Sequence, residues 1–99
     1  MPGYVLSPEA LQDLQGIWDF IAADNPNAAN RVVDELFQAF QQLAERPGQG
    51  HTRRDLTQRD VRFWPVRSYL VVYREHMEPL EVVGILHGAR DIPSIIGDV

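Results

Sequence analysis

Two helix-start signals, eighteen residues apart, constrain this chain more than any other feature. Ser7-Pro8-Glu9 and Asn25-Pro26 each place a capping side chain directly before a proline. Serine and asparagine oxygens accept the free backbone donors at a helix start, and proline suits the first helical position because its missing N–H would be unpaired there anyway. Behind the first signal, Leu11, Leu14, Ile17, Trp18 and Ile21 recur at spacings of three and four, with Gln12, Asp13, Gln15 and Asp19 on the other face. Behind the second runs a longer stripe, Ala29, Val32, Val33, Leu36, Phe37, Phe40, Leu43 and Ala44. Such stripes bury one side of a helix. Pro47 should end the second helix at Arg46, because it disfavours helical geometry in the residue before it. Two amphipathic helices joined by so short a turn fold back as an antiparallel hairpin.

The periodicity then changes from helix to strand. Tyr4-Val5-Leu6 is a short apolar run before the first helix. Pro47 to Asp60 is rich in glycine and polar residues and reads as an exposed loop. Val61 and Phe63 alternate with Arg62 and Trp64, a strand that Pro65 must end or push to a sheet edge. Tyr69 to Arg74 and Glu81 to His87 are the clearest strands, and the short turn from Glu75 to Leu80 makes them an antiparallel pair. Gly84 in mid-strand marks a bulge or a close approach, with Trp18 or Phe37 as the side chain to sit against it. Ile92 to Ile96 reads as a short C-terminal helix or an apolar tail. The expected fold class is α+β: a helical hairpin packed on a small antiparallel sheet, in the order β-α-α-β-β-β. Ninety-nine residues suit a single domain, 1–99. Trp18, Phe37, Phe40 and Tyr73 are expected in its core, and Trp64, opposite in parity to Phe63, at an exposed partner interface.

Charge divides the chain. The net value of −5 comes wholly from residues 1–50, where two arginines face seven acids; between 51 and 74, six arginines face two acids. All nine basic residues are arginine, whose planar guanidinium forms paired contacts with carboxylates and phosphates. An acidic partner or a nucleic-acid backbone suits that local excess. The absence of cysteine removes disulfides and thiolate metal sites, and the three histidines have no metal-ligand spacing, so neither metal nor cofactor is expected. MPGYVLSPEA lacks the basic start and apolar core of a signal peptide, and no apolar run reaches the roughly 20 residues of a membrane helix. A soluble cytoplasmic protein is the expectation.

These residues carry a family resemblance. The run SPEALQDLQGIWDFIAADNPNAANRVVDELFQAFQQLAERPGQG resembles the helical hairpin of the RelE/ParE superfamily of type II toxins, including its Asp-Leu-x-x-Ile-Trp segment and its Leu-Ala-Glu-x-Pro-x-x-Gly close. VRFWPV, YLVVYR and the closing ILHGARD resemble its strands, so the likeness covers about residues 4 to 96. It implies one of two activities on one fold. RelE-like members cleave mRNA on the ribosome; ParE-like members poison DNA gyrase and are neutralised by a ParD-like antitoxin in a hetero-oligomer.

RNA cleavage needs a base, an acid and cations around the phosphate. His87, Arg62, Arg67, Arg90 and Tyr73 are the candidates for those roles. The set departs from the ribonuclease members, which typically carry lysines, or a glutamate with a basic cluster, in the central strands and a tyrosine near the carboxyl terminus: this chain has no lysine, and no Tyr, Phe or Trp follows Tyr73. The His-Gly-Ala-Arg-Asp close is shared with sequences grouped with ParE, so the resemblance favours a gyrase-binding toxin over the endoribonuclease. In a regular last strand Val83, Ile85 and His87 share one face, and His87 reads first as a hydrogen-bonded histidine at a strand end. Arg90 and Asp91 read as a surface pair or cap, or as a partner contact. The expected binding residues for target and antitoxin are Arg53, Arg54, Arg59, Arg62, Trp64, Arg67, Arg74 and Arg90.

Overall fold

The computed structural model describes residues 3–55 and 57–87. Strand β1 (Tyr4–Leu6) leads into helix α1 (Pro8–Ala22), helix α2 (Pro26–Glu45) and a single 3-10 turn (Pro47–Gln49). Strands β2 (Arg62–Val66), β3 (Tyr69–Arg74) and β4 (Leu80–His87) follow. Both helix starts form as expected: Ala10 N donates to Ser7 Oγ at 3.0 Å, and Ala28 N to Asn25 Oδ1 at 3.1 Å. The second helix stops at Glu45, with Arg46 outside helical geometry before Pro47.

The sheet order is β1-β4-β3-β2. Strands β2, β3 and β4 pair antiparallel, and β1 adds to β4 in parallel, with Tyr4 opposite Leu80 and Leu6 opposite Val82. That parallel pair is what the long crossover through the hairpin permits. Pro65 lies inside β2, opposite Leu70, and is tolerated there because β2 is an edge strand. Past Leu6, α1 takes over the free edge of β4. Ser7 N donates to Val82 O, Ser7 Oγ donates to Val83 O at 2.7 Å, and Ile85 N donates to Asp13 Oδ2 at 2.9 Å. One serine therefore both caps a helix and protects a strand edge.

The sheet is buried on both faces. Leu14, Leu36, Phe40 and Leu43 of the hairpin pack against Tyr69, Val71, Tyr73 and Val82. A smaller cluster of Val61, Phe63, Val72 and Leu86 occupies the opposite face. Each such fully buried side chain contributes about 1.5–3 kcal/mol, so Leu36, Phe40, Leu43 and Tyr73, all at 0% exposure, anchor hairpin to sheet.

Four expectations are corrected by this packing. Between Val72 and Tyr73 the register slips, pairing Val72 with Gly84 and Tyr73 with Val82, so Val83 is an extra residue. A bulge of this kind resets the alternation. Val83 consequently packs with the far cluster, while Ile85 and His87 return to the helix side, and the three do not share a face. The atom nearest a Cβ built on Gly84 is Asp13 Oδ2 at 3.3 Å, so Asp13, and neither Trp18 nor Phe37, fills that space. Trp18 and Phe37 remain 36% and 38% exposed, because no element among the described residues covers the outer seam of the hairpin. Trp64 is half-buried and packs against the helix-side core from its position opposite Val71. Residues 88–99, with Arg90, Asp91 and the expected C-terminal helix or tail, lie outside the described residues.

Candidate functional site

The arginine-bearing segment is not a uniform cationic patch. Arg53 grips Asp55 with two hydrogen bonds, 3.1 and 2.9 Å. Arg67 holds Glu35 of α2 through a fork of two 2.7 Å bonds. Arg62 donates to Glu75 Oε1 at 2.6 Å and to Gly50 O at 2.7 Å, and Arg74 Nε lies 3.5 Å from Glu81 Oε1. Arg54 Nη1 instead donates to the backbone oxygen of Gln58 at 3.1 Å, and the Arg59 guanidinium makes no ion pair among the described residues. Four of the six arginine charges are therefore matched internally, and the excess rests on Arg54 and Arg59.

Proton affinities follow those pairs. Hydrogen bonding to Arg67 holds the Glu35 carboxyl below its ordinary value, and hydrogen bonding to Arg53 does the same for Asp55. Such fork contacts favour the ionised carboxylate.

Arg67 has a further peculiarity. It sits in the two-residue turn between β2 and β3 with φ 56°, a left-handed conformation that costs a side-chain-bearing residue free energy. Its fork with Glu35 ties that turn to α2.

The segment is anchored at its base by a buried polar cluster. Tyr73 lies wholly inside, with its hydroxyl donating to Pro47 O and accepting from Gly50 N at 2.9 Å. Desolvation raises the Tyr73 phenol above its ordinary value. His51 and Phe63 exchange backbone hydrogen bonds of 2.9 and 2.8 Å, which continue the sheet by one bridge. Gly50 and Thr57 are buried, so the expected exposed loop is partly an inner one.

These contacts disperse the cleavage candidates. Tyr73 is spent on the 47–50 turn, Arg62 on Glu75 and Gly50, and Arg67 on Glu35. His87 pairs across the ladder with Tyr69, and the two rings stack at 5.0 Å and 27°. Arg62 pairs across the ladder with Tyr73. Tyr69 and Tyr73 are four residues apart on β3, so the His87 and Arg62 positions are separated by roughly 13 Å along the strand at about 3.3 Å per residue. No common phosphate position joins them. Arg90 lies outside the described residues.

Sequence reasoning missed the acids that occupy the arginines, Glu35 and Glu75, and the role of Gly50. A Cβ on Gly50 would stand 2.8 Å from Tyr73 Cε1 and 3.0 Å from Phe63 O, closer than atoms tolerate. Its only sequence signal is its place at the end of the Pro-x-x-Gly close. Among the described residues there is no group of three or more potential metal ligands, and no helix long and apolar enough to cross a membrane.

Comparison with known proteins finds likeness in family, in sequence and in fold. A family model described as the ParE toxin of the type II toxin-antitoxin system parDE matches residues 4–92. Y4kP of Sinorhizobium fredii (strain NGR234), provisionally named a toxin, is 30% identical over 87 residues, 88% of each chain. A solved chain from the chromosomal ParDE toxin-antitoxin system of P. aeruginosa superposes with a TM-score of 0.71, covering 89% of this chain and 97% of that one. At 18% identity this last likeness concerns the fold.

Proposed function

The chain belongs to the ParE toxin family of type II toxin-antitoxin systems, and from that membership we propose that it acts by binding: it inhibits DNA gyrase and is neutralised by a cognate ParD-like antitoxin. The observation that carries this reading over ribosome-dependent mRNA cleavage is the dispersal of the cleavage candidates. Tyr73, Arg62 and Arg67 are committed to intramolecular partners, and His87 stands at the other end of β3 from Arg62. General acid–base chemistry on a phosphodiester needs those groups within hydrogen-bond reach of one reacting centre.

The binding surface on this reading is the arginine-bearing segment and its strands, Arg53, Arg54, Arg59, Arg62, Trp64, Arg67, Arg74 and Arg90. Among its described residues, Arg54 and Arg59 carry the charge that no carboxylate already neutralises. Mutating these two is expected to slow association most, since unmatched charges steer encounter. An antitoxin segment laid across the hairpin and this edge would present acidic residues to it. The toxin acts in the cytoplasm as the free chain and rests in a hetero-oligomer with its antitoxin.

The test is biochemical. Purified toxin is expected to block gyrase supercoiling or to accumulate cleaved DNA, and Arg54→Ala/Arg59→Ala to weaken that effect about tenfold, a loss of about 1.4 kcal/mol in binding. Unaffected gyrase together with codon-dependent cuts in ribosome-bound mRNA would reject the reading.

A further inference from the structure

Arg67 joins a costly backbone to an exposed partner. Val66 pairs with Tyr69, so Arg67 and Ser68 alone make the turn between β2 and β3. At φ 56° Arg67 holds a conformation that glycine or asparagine usually supplies in two-residue turns, because a Cβ is disfavoured there. No other non-glycine residue among those described has a positive φ. Glycine would take the same conformation without strain. Packing does not offset the strain, since half of the Arg67 side chain is exposed, as is 42% of the Glu35 side chain that it holds. Exposed ion pairs contribute little to folding, less than a left-handed side-chain-bearing residue costs. Strain retained without a return in stability points to a role for the guanidinium itself.

A second cation stands beside the same carboxylate. Arg31 lies one turn before Glu35 on α2, and after the hydrogen bonds from Arg67 its field also lowers the proton affinity of Glu35. Arg31 makes no ion pair among the described residues, and neither does Asp34, the other acid on this turn of α2. Residues 1–50 hold two arginines against seven acids, and one of those two arginines is placed here. Glu35 is therefore a single carboxylate between two guanidiniums, at the β2 edge of the sheet.

We propose that Arg67 is a target-binding residue and Glu35 its internal substitute: a carboxylate on the target protein displaces Glu35 from the Arg67 fork and is held between Arg67 and Arg31. The inference rests on the gyrase reading given above, which supplies the target, and assigns that contact a residue and an exchange step. Exchange is easy because the internal pair is exposed and worth little. The guanidinium fork, delivered by a rigid turn, then fixes the orientation of the incoming carboxylate. Loss of a hydrogen-bonded pair inside an interface acts on dissociation, whereas the unmatched Arg54 and Arg59 act on association.

Glu35→Gln and Arg67→Gly test the exchange in the full chain, against gyrase and against a synthetic peptide of glutamate and glycine. Glu35→Gln removes the internal competitor and is expected to inhibit gyrase at about one-third of the wild-type concentration, the ratio that an exposed pair supports. It should bind the glutamate peptide more tightly by the same factor, with amide resonances of residues 31–35 and 66–68 shifting. Arg67→Gly is expected to melt no lower than the wild type at neutral pH and yet to dissociate from gyrase about tenfold faster, at a nearly unchanged association rate. A clasp that served only the fold would give the opposite pair of changes. Unchanged or weaker inhibition by Glu35→Gln, or full inhibition by Arg67→Gly, overturns the proposal and leaves the gyrase reading standing. If the wild type leaves gyrase untouched, the gyrase reading falls and the peptide decides the exchange. Tighter binding by Glu35→Gln with shifts at those two segments then supports it, and equal affinity or shifts confined to residues 53–62 overturn it.

Discussion

The two ends of β3 use similar residues for opposite purposes. At the Tyr73 end, a phenol, a guanidinium, a carboxylate and three backbone groups close on one another, with Gly50 pressed against the Tyr73 ring. At the Tyr69 end, a phenol and an imidazole stack at the border of an open groove. The comparison teaches that arginine, tyrosine and histidine in strands do not announce a reactive site. Their partners decide, and at the closed end every partner is internal.

Breaking the closed end should have the largest effect. Gly50→Ala forces a methyl group onto Tyr73 and Phe63 O, and overpacking together with the strained hydrogen bonds is expected to cost about 3 kcal/mol, read by chemical denaturation. Tyr73→Phe keeps the packing but leaves Gly50 N and Pro47 O without their partner, a loss of about 2 kcal/mol. The same variant sharpens the assignment through pH. Because burial raises the folded-state value of this phenol, its contribution is complete below the ordinary value of 10.0 and fades as pH rises through the folded one. The wild type should therefore lose stability at strongly alkaline pH, and Tyr73→Phe should lose that component.

The smallest effect is expected near the open end, where the turn between β2 and β3 is tied to α2 through exposed groups. Hydrogen bonding from Arg67 depresses Glu35, so that contribution is present above the ordinary carboxylate value of 4.5 and is lost as pH falls through the folded one. Arg67→Gln should flatten the acid limb of the melting profile and leave the neutral region nearly unchanged. A large loss at neutral pH would instead show the turn to be as firmly built as the Gly50 cluster.

Much of the architecture was legible because it rests on local rules. Ser7, Pro8, Asn25 and Pro26 set two helix starts, and Pro47 set an end, through groups a few residues away. The antiparallel pairing of β3 with β4 followed from alternation and a short turn, whereas the parallel place of β1 beside β4, in a sheet expected to be antiparallel, did not. The site was less legible. Arg67 meets Glu35 across 32 positions and Arg62 meets Glu75 across 13, and no local pattern marks either pair. The bulge at Val83 separated that residue from Ile85 and His87, with which strict alternation had grouped it, since a single extra residue resets the alternation.

By itself the sequence determined the hairpin, the strands, the division of charge and the family likeness, because propensity, capping and periodicity act within a few residues. Only the tertiary structure decided which arginines keep an unmatched charge, which aromatic residues are buried, and which carboxylate meets the strained turn at Arg67. Those outcomes depend on what distant segments bring to the same place, and side-chain partners are chosen by proximity in space.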